Sequence, residues 1–533
     1  MLLRPRLEAP ELVCEECGGE QIGWSEFVNG VAELMSCNCC GGALAGSTAA
    51  ALRPKPAQLR DPTRWRGHPA TKASELATLR QPYLLPDVTV VREDGLLPHQ
   101  DVLIQNEKIA AIAPAGQAAH GAVVVESCRH QFVSPSLIDL HVHMPPWNVI
   151  RLTRLFLLLT LRYGVTIVRD CGDTDGTSNA AALALVRSGK MPGPEMHYAY
   201  AFVGRGAKRW TNIVDVNTPE DAEPVVGWLK GLGASWIKSY ENLAPEHIAA
   251  LVKAANAHGM GVLGHVPTKL AFEEAKIPDT QHYFGVPPPG SLRRDHILER
   301  HIGWEAVGES REELVVRTSL EQGIAHTPTL ATLSLLLVMN EDEKTRAERA
   351  RDLPAFFRSI IWDSAHGLPT FRGLVQTDFD RIQRALDAKI RLTRRLHAAG
   401  VPLRLGTDTQ QPYAVPGAAL LEEMRLFCQA GIPGAEVWRM ATRDAAGILG
   451  LADCGVVEPG ARADFIVSTR DPRSGIERGN IVAVAARGAL AMADDLDAEI
   501  ARENSRFEGA VAGHVSRWLA RFALNKLARN FTY

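Results

Sequence analysis

From residue 132 to about residue 451 the chain repeats one pattern eight times: a short apolar segment followed by an amphipathic stretch. The apolar segments read as strands at 137–144, 165–170, 196–203, 236–240, 261–266, 280–284, 324–330 and 403–407. Helical stretches lie between most of them. One of these, 219–231, has Thr218 in the N-cap position and Pro219 at the first helical position. Eight strand–helix units in series predict an α/β fold, a closed parallel (β/α)8 TIM-like barrel rather than an open sheet. The interval 331–399 is too long for one strand-to-helix connection, and its charged and aromatic text reads as a helical insertion above the barrel mouth.

The rest of the 533 residues arranges itself around that repeat. Residues 86–131 and 455–492 alternate in short strands with polar turns and are expected to form the two parts of a flanking β-sandwich on the barrel, which spans 132–454. Residues 1–45 form a cysteine-rich unit, and 46–85, rich in Ala, Pro and Arg, a linker. The tail 493–533 reads as helical, with Phe507, Val511, Val515, Trp518 and Phe522 on one stripe, packed on the barrel or on a sister subunit. A net charge of -3 gives no reason to expect nucleic acid or an anionic membrane surface as partner. The first thirteen residues carry charges and prolines where a secretory leader would be apolar, and no apolar run approaches the ~20 residues that span a bilayer. Cysteine usage fits a reducing compartment, so a cytoplasmic location is expected, with Cys128, Cys171, Cys428 and Cys454 as isolated buried thiols.

Chemistry concentrates at the strand ends. SPSLIDLHVHM places His141 and His143 two apart at the end of the first strand, so both imidazoles face one side. Barrel active sites lie at that end. Lys238 sits inside the apolar strand of SWIKSY. Turned inward, a charged lysine would be costly, whereas a neutral amine could take up carbon dioxide as a carbamate; turned outward, it would snorkel to solvent. His265 in VLGHVP, His282 in DTQHYF and Asp408 in LRLGTDT end three further strands. Neutral imidazoles of this kind suit zinc or a similar divalent ion.

In this order the motifs resemble the amidohydrolase superfamily, closest to its imidazolonepropionase-like and prolidase-like branch, over roughly residues 86–492. GVTIVRDCGDT, GHVP, GTDTQQPYAVPGAALLEEM and VVEPGARADFIV carry the likeness beyond the ligands, while the cysteine unit and the tail depart from it. The resemblance implies two divalent ions, zinc by expectation. His141, His143 and Asp408 would hold one and His265 and His282 the other, with carboxylated Lys238 between them. It further implies hydrolysis of an amide-type C–N bond, in a peptide, an N-acyl amino acid or a cyclic amide, by a metal-bridged hydroxide with Asp408 as proton shuttle. Asp139 reads as a supporting partner of the ligands or a structural acid, and Tyr240 and Tyr283 as substrate contacts or core. A one-metal deaminase or cyclic-amide hydrolase, and an inert scaffold recruiting partners, are the competing readings.

Cys14 and Cys17, then Cys37 and Cys40, form two Cys-x2-Cys pairs, each followed by glycines. Paired thiolates around a loop are the ligand pattern of a zinc-ribbon-like module, so one structural zinc is expected there. The expected partner of the whole chain is a small molecule or short peptide, with the chain acting as a homo-oligomer.

Overall fold

A computed structural model of the chain describes residues 76–530 apart from 118–120, 146–151, 175, 177, 190, 207–211 and 294–296, together with Leu12–Cys14, Glu20–Gln21 and Leu44–Ala45. The last three are short strands in one antiparallel sheet, with Leu12–Cys14 in the middle. Cys17, Cys37 and Cys40 lie outside the described residues, and so does the expected metal geometry.

The repeat read from the sequence folds as parallel strands with helices between them. Leu137–Val142, Val165–Asp170 and Glu195–Tyr198 form one sheet, with Val165–Asp170 central. Phe202–Gly204, Trp236–Ser239, Gly261–Gly264, Asp279–Gln281 and Ala325–Thr327 follow in order in a second, with Ile213–Asp215 on its outer edge. Residues 402–408 reach both sheets. His326 N–H donates to the Pro402 carbonyl (3.0 Å), Leu140 N–H to that of Leu405 (3.1 Å), and Thr407 N–H to that of His141 (3.0 Å).

Two strands differ from expectation. The span 196–203 is two strands, because Tyr200 takes φ +60° and breaks the extended backbone. Asn212 holds that bend, donating to the carbonyls of Tyr200 (2.9 Å) and Asp173 (3.0 Å). The span 403–407 is not a regular strand; only Leu403 makes a bridge. Its Gly406 is required by proximity, since a Cβ there would come within 2.5 Å of the His141 Cβ. The helix expected at 219–231 begins as a 3-10 turn, Pro219–Asp221, and continues as Ala222–Gly231. Asp221 accepts the N–H groups of Asn217 and Thr218, both at 2.9 Å, and so satisfies its start.

The flanking strands form an eight-stranded sheet drawn from both sides of the repeat. Phe465–Ser468 pairs antiparallel with Phe132–Pro135, which pairs in turn with Tyr83–Arg92. Tyr83, Leu85, Val102, Val133, Phe465 and Val467 build its core. The interval 331–399 holds Leu330–Leu337, Glu343–Arg349, a π-turn at Phe357–Ile361 and the long helix Gln376–Ala398. The tail forms Ala493–Ser505 and Ala510–Asn530. Of its expected apolar stripe, Phe507 packs against Phe356 with ring centroids 5.7 Å apart, whereas Val515, Trp518 and Phe522 are exposed on this chain. Val515 and Trp518 are 50% and 63% exposed, while Ala520 and Leu524 are buried instead. Of the four isolated cysteines, Cys428 is exposed rather than buried. Among the described residues no helix is long and apolar enough to cross a membrane.

Candidate metal centre

The six residues singled out at the strand ends come together at one end of the parallel strands. His141 is the fifth residue of Leu137–Val142, and His143 follows directly after it. Their rings lie 5.3 Å apart, edge to face. Asp408 approaches both, its Oδ1 lying 3.4 Å from His141 Nε2 and 3.2 Å from His143 Nε2. The donor atoms of these three residues all lie within 4.8 Å of one another. His282 packs 4.8 Å from His141, and His265 packs 5.0 Å from His282, ring to ring. Lys238 is in register with Phe202 on one side and Leu263 on the other, and it is fully buried. It does not snorkel.

Several ligand-type side chains are held through the nitrogen that points away from the centre. His143 Nδ1 donates to the Gly172 carbonyl (2.8 Å). His282 Nδ1 lies 2.6 Å from Thr329 Oγ1, and His141 Nδ1 2.5 Å from Gln281 Oε1. Such outer partners orient metal-binding imidazoles and fix their tautomers. His265 Nδ1 lies 3.5 Å from Glu241 Oε1 but makes no hydrogen bond among the described residues, and that carboxylate accepts instead from Arg300 at 2.6 Å. Asp139 does not reach the centre. Its carboxylate accepts from the Thr407 hydroxyl (2.7 Å) and from the backbone of His141 (3.1 Å) and Thr407 (3.2 Å), tying the first strand to the segment bearing Asp408.

The donor set fits a divalent cation. His141 Nε2 and Lys238 Nζ are buried with no hydrogen-bond partner among the described residues, which is costly unless something else satisfies them. Burial pushes the Lys238 amine below the usual lysine range and holds His265 and His282 well below the usual imidazole range, so the histidines present lone pairs rather than charge.

Other residues reach the centre that strand-end spacing does not reveal. Gln411 Nε2 donates to Asp408 Oδ2 (3.0 Å), and Gln410 Nε2 to the His143 carbonyl (2.7 Å). Lys389, on the long insertion helix, donates to the His282 carbonyl (3.1 Å). His301 lies 5.4 Å from His282, ring to ring, on the short helix Ile297–Ile302. Only the paired glutamines stood inside a motif already noticed. Tyr283 bonds Thr393 in the core at 2.8 Å, and Tyr240 packs 4.8 Å from His265.

Known proteins share this arrangement of the chain. Bottromycin amidohydrolase superposes with a TM-score of 0.64 at 23% identity, covering 84% of this chain and 96% of its own. A putative prolidase from Bifidobacterium longum gives 0.57 at 19%, covering 80% and 100%. A Xaa-Pro dipeptidase with bound methionine in its active site gives 0.55 at 17%, covering 77% and 100%. At these identities the likeness is one of fold. No curated protein matches by sequence. Residues 132–491, more than half of the chain and the whole stretch that carries the centre, match the family described as the amidohydrolase family, and the chain belongs to that family.

Proposed function

We propose that this enzyme hydrolyses an amide-type C–N bond at a two-metal centre at the mouth of a closed (β/α)8 barrel. The hydrogen bonds from residues 402–408 to both parallel sheets support the closure. His141, His143 and Asp408 would hold one ion, His265 and His282 the other, and Lys238 would join them as a carbamate. The observation that carries this reading is the Lys238 amine, buried near five ligand-type side chains and without a hydrogen-bond partner among the described residues. A neutral amine is the form that attacks carbon dioxide: the N–C bond forms, one N–H proton leaves, and an anion replaces a group that could not remain charged there. When bound, divalent ions lower the pKa of water toward neutrality and polarise the scissile carbonyl.

The chain's own residues do the rest. Asp408 keeps one oxygen toward the histidines and the other on Gln411, so its carboxylate can take a proton and pass it to the leaving nitrogen. Thr329 orients His282, and Glu241 lies beside His265. The solved relatives named as prolidases, the Xaa-Pro dipeptidase and an ochratoxinase at 16% identity support a peptide or N-acyl amino acid as substrate. Zinc is the proposed metal. A third, structural zinc on Cys14, Cys17, Cys37 and Cys40, and a cytoplasmic homo-oligomer that uses neither nucleic acid nor membrane, complete the proposal. A single-metal enzyme is the second reading, favoured by the compactness of His141, His143 and Asp408 alone.

Metal analysis with two variants tests this. Lys238→Ala should lose one barrel ion and its turnover of Xaa-Pro dipeptides or N-acyl amino acids. Asp408→Asn should keep metal yet lose about 10²–10⁴-fold in turnover, the usual worth of a general base. Lys238→Ala with an unchanged metal count would favour the single-metal reading, and normal turnover by Asp408→Asn would remove the shuttle.

A further inference from the structure

Gln281 ends the strand Asp279–Gln281, one residue before His282, and the reaction proposed above gives it no part. It is fully buried. Its amide nitrogen has two oxygens in reach, the carboxylate Oδ1 of Asp279 at 2.8 Å and the Asp279 carbonyl at 3.1 Å. A carbonyl and a carboxylate can only accept, so the NH2 group is committed to them and the amide oxygen faces His141 Nδ1, 2.5 Å away. That oxygen can only accept as well. The proton of His141 must then sit on Nδ1, leaving the lone pair on Nε2, the atom 3.4 Å from Asp408 Oδ1 that has no hydrogen-bond partner.

The far end of this chain is fixed just as firmly. Asp279 accepts from Arg404 Nη1 (2.6 Å), Arg169 Nη2 (2.8 Å) and Thr327 Oγ1 (2.8 Å). Burial would raise its carboxyl, but the two guanidiniums and Thr327 hold it down to about 2, so it stays an acceptor. The hydrogen bonds therefore run one way, from arginine to aspartate and from glutamine to aspartate, with histidine donating to glutamine.

We infer that Gln281 is a positioning residue that locks His141 in its Nδ1–H tautomer and thereby sets how tightly the His141–His143–Asp408 position binds metal; this rests on His141 being a ligand. Only an amide serves both ends. A leucine would leave the buried Nδ1–H without a partner. A glutamate would still accept from His141 but would set its second oxygen against the Asp279 carboxylate.

The test is an electron-paramagnetic-resonance titration of the full-length protein with Mn(II), an oxygen- and nitrogen-preferring ion that the N-terminal thiolates select against. Gln281→Leu is expected to weaken Mn(II) binding by about 10–100-fold, the usual range for loss of such a partner. Gln281→Glu should stay within a few-fold of wild type in Mn(II) affinity while its metal-free form unfolds at lower temperature. A purely structural residue would not separate those two readouts. Should Gln281→Leu not fold, Gln281→Met, similar in shape but a weak acceptor, takes its place with the same expectation. Wild-type affinity in the leucine or methionine variant, or a glutamate variant that binds as poorly as leucine, overturns the inference. His141→Ala separates the two levels. If it binds Mn(II) like wild type, the ligand reading fails; if it loses Mn(II) while Gln281→Leu does not, only the tautomer lock fails.

Discussion

Glu423 is a carboxyl that no ion pair meets among the described residues. It is fully buried, and one oxygen accepts the Ala331 N–H at 2.6 Å while the other has no hydrogen-bond partner among the described residues. Burial raises its pKa to about 8. The sign follows from linkage. Between the ordinary value of 4.5 and about 8 the folded protein holds a proton that the unfolded chain has released, so stability falls as pH rises through that window. Glu423→Gln should therefore unfold at nearly the wild-type temperature at pH 5 and several degrees above it at pH 8; an equal gap at both pH values would show that this carboxyl does not titrate there. Residues of this kind were silent in the sequence. Strand-end position exposed His141, His143, Lys238, His265, His282 and Asp408, because a period of two and a shared end predict convergence. Gln281 and Lys389 act through partners 107 or more residues away, and neither occupies a position that periodicity marks.

Elements show the same division between what pattern reveals and what tertiary contact decides. The helix Thr153–Arg162 is buried on every side, although it carries two arginines. The tail helix Ala493–Ser505 supplies their partners. Arg154 bonds Glu503 (2.9 Å) and lies 3.6 Å from Glu499, and Arg162 bonds Asp497 (2.6 Å). The sequence marked the tail as helical but could not say that it packs on Thr153–Arg162, since the partners are 335 or more residues apart. Arg154→Leu should destabilise the protein by about 2 kcal/mol, because it removes the buried guanidinium from Glu499 and Glu503 and leaves them to the half-exposed Arg502 and Arg506. The triple change Arg154→Leu, Glu499→Leu, Glu503→Leu should recover much of that loss in chemical denaturation. No recovery would mean that the arginine's packing rather than its charge matters. The strand expected at 196–203 failed for a similar reason. Its residues are apolar enough to extend, but Asn212 captures the Tyr200 carbonyl and bends the chain.

At the scale of the molecule, the eight-stranded sheet joins the two ends of the repeat. Phe465–Ser468 covers the edge of Phe132–Pro135, and Phe465, Val467, Ala483 and Ala485 complete the core begun by Tyr83 and Leu85. A chain ending at residue 454 would lose those side chains, bare a strand edge, and lack the helix that neutralises Arg154 and Arg162. It should be recovered only as aggregate. Removal of residues 1–45 is a different operation. The four thiolates proposed to hold zinc lie within that stretch, and thiolate-saturated zinc has no open position for a substrate. The shortened protein should stay soluble, keep two barrel metals out of three, and retain turnover. Elemental analysis with a parallel activity assay decides between the outcomes. A loss of exactly one metal with chemistry preserved places the N-terminal unit outside the reaction. Loss of all turnover with both barrel metals still bound would make that unit part of the active site, and the proposed division between a structural and a catalytic metal would have to be abandoned.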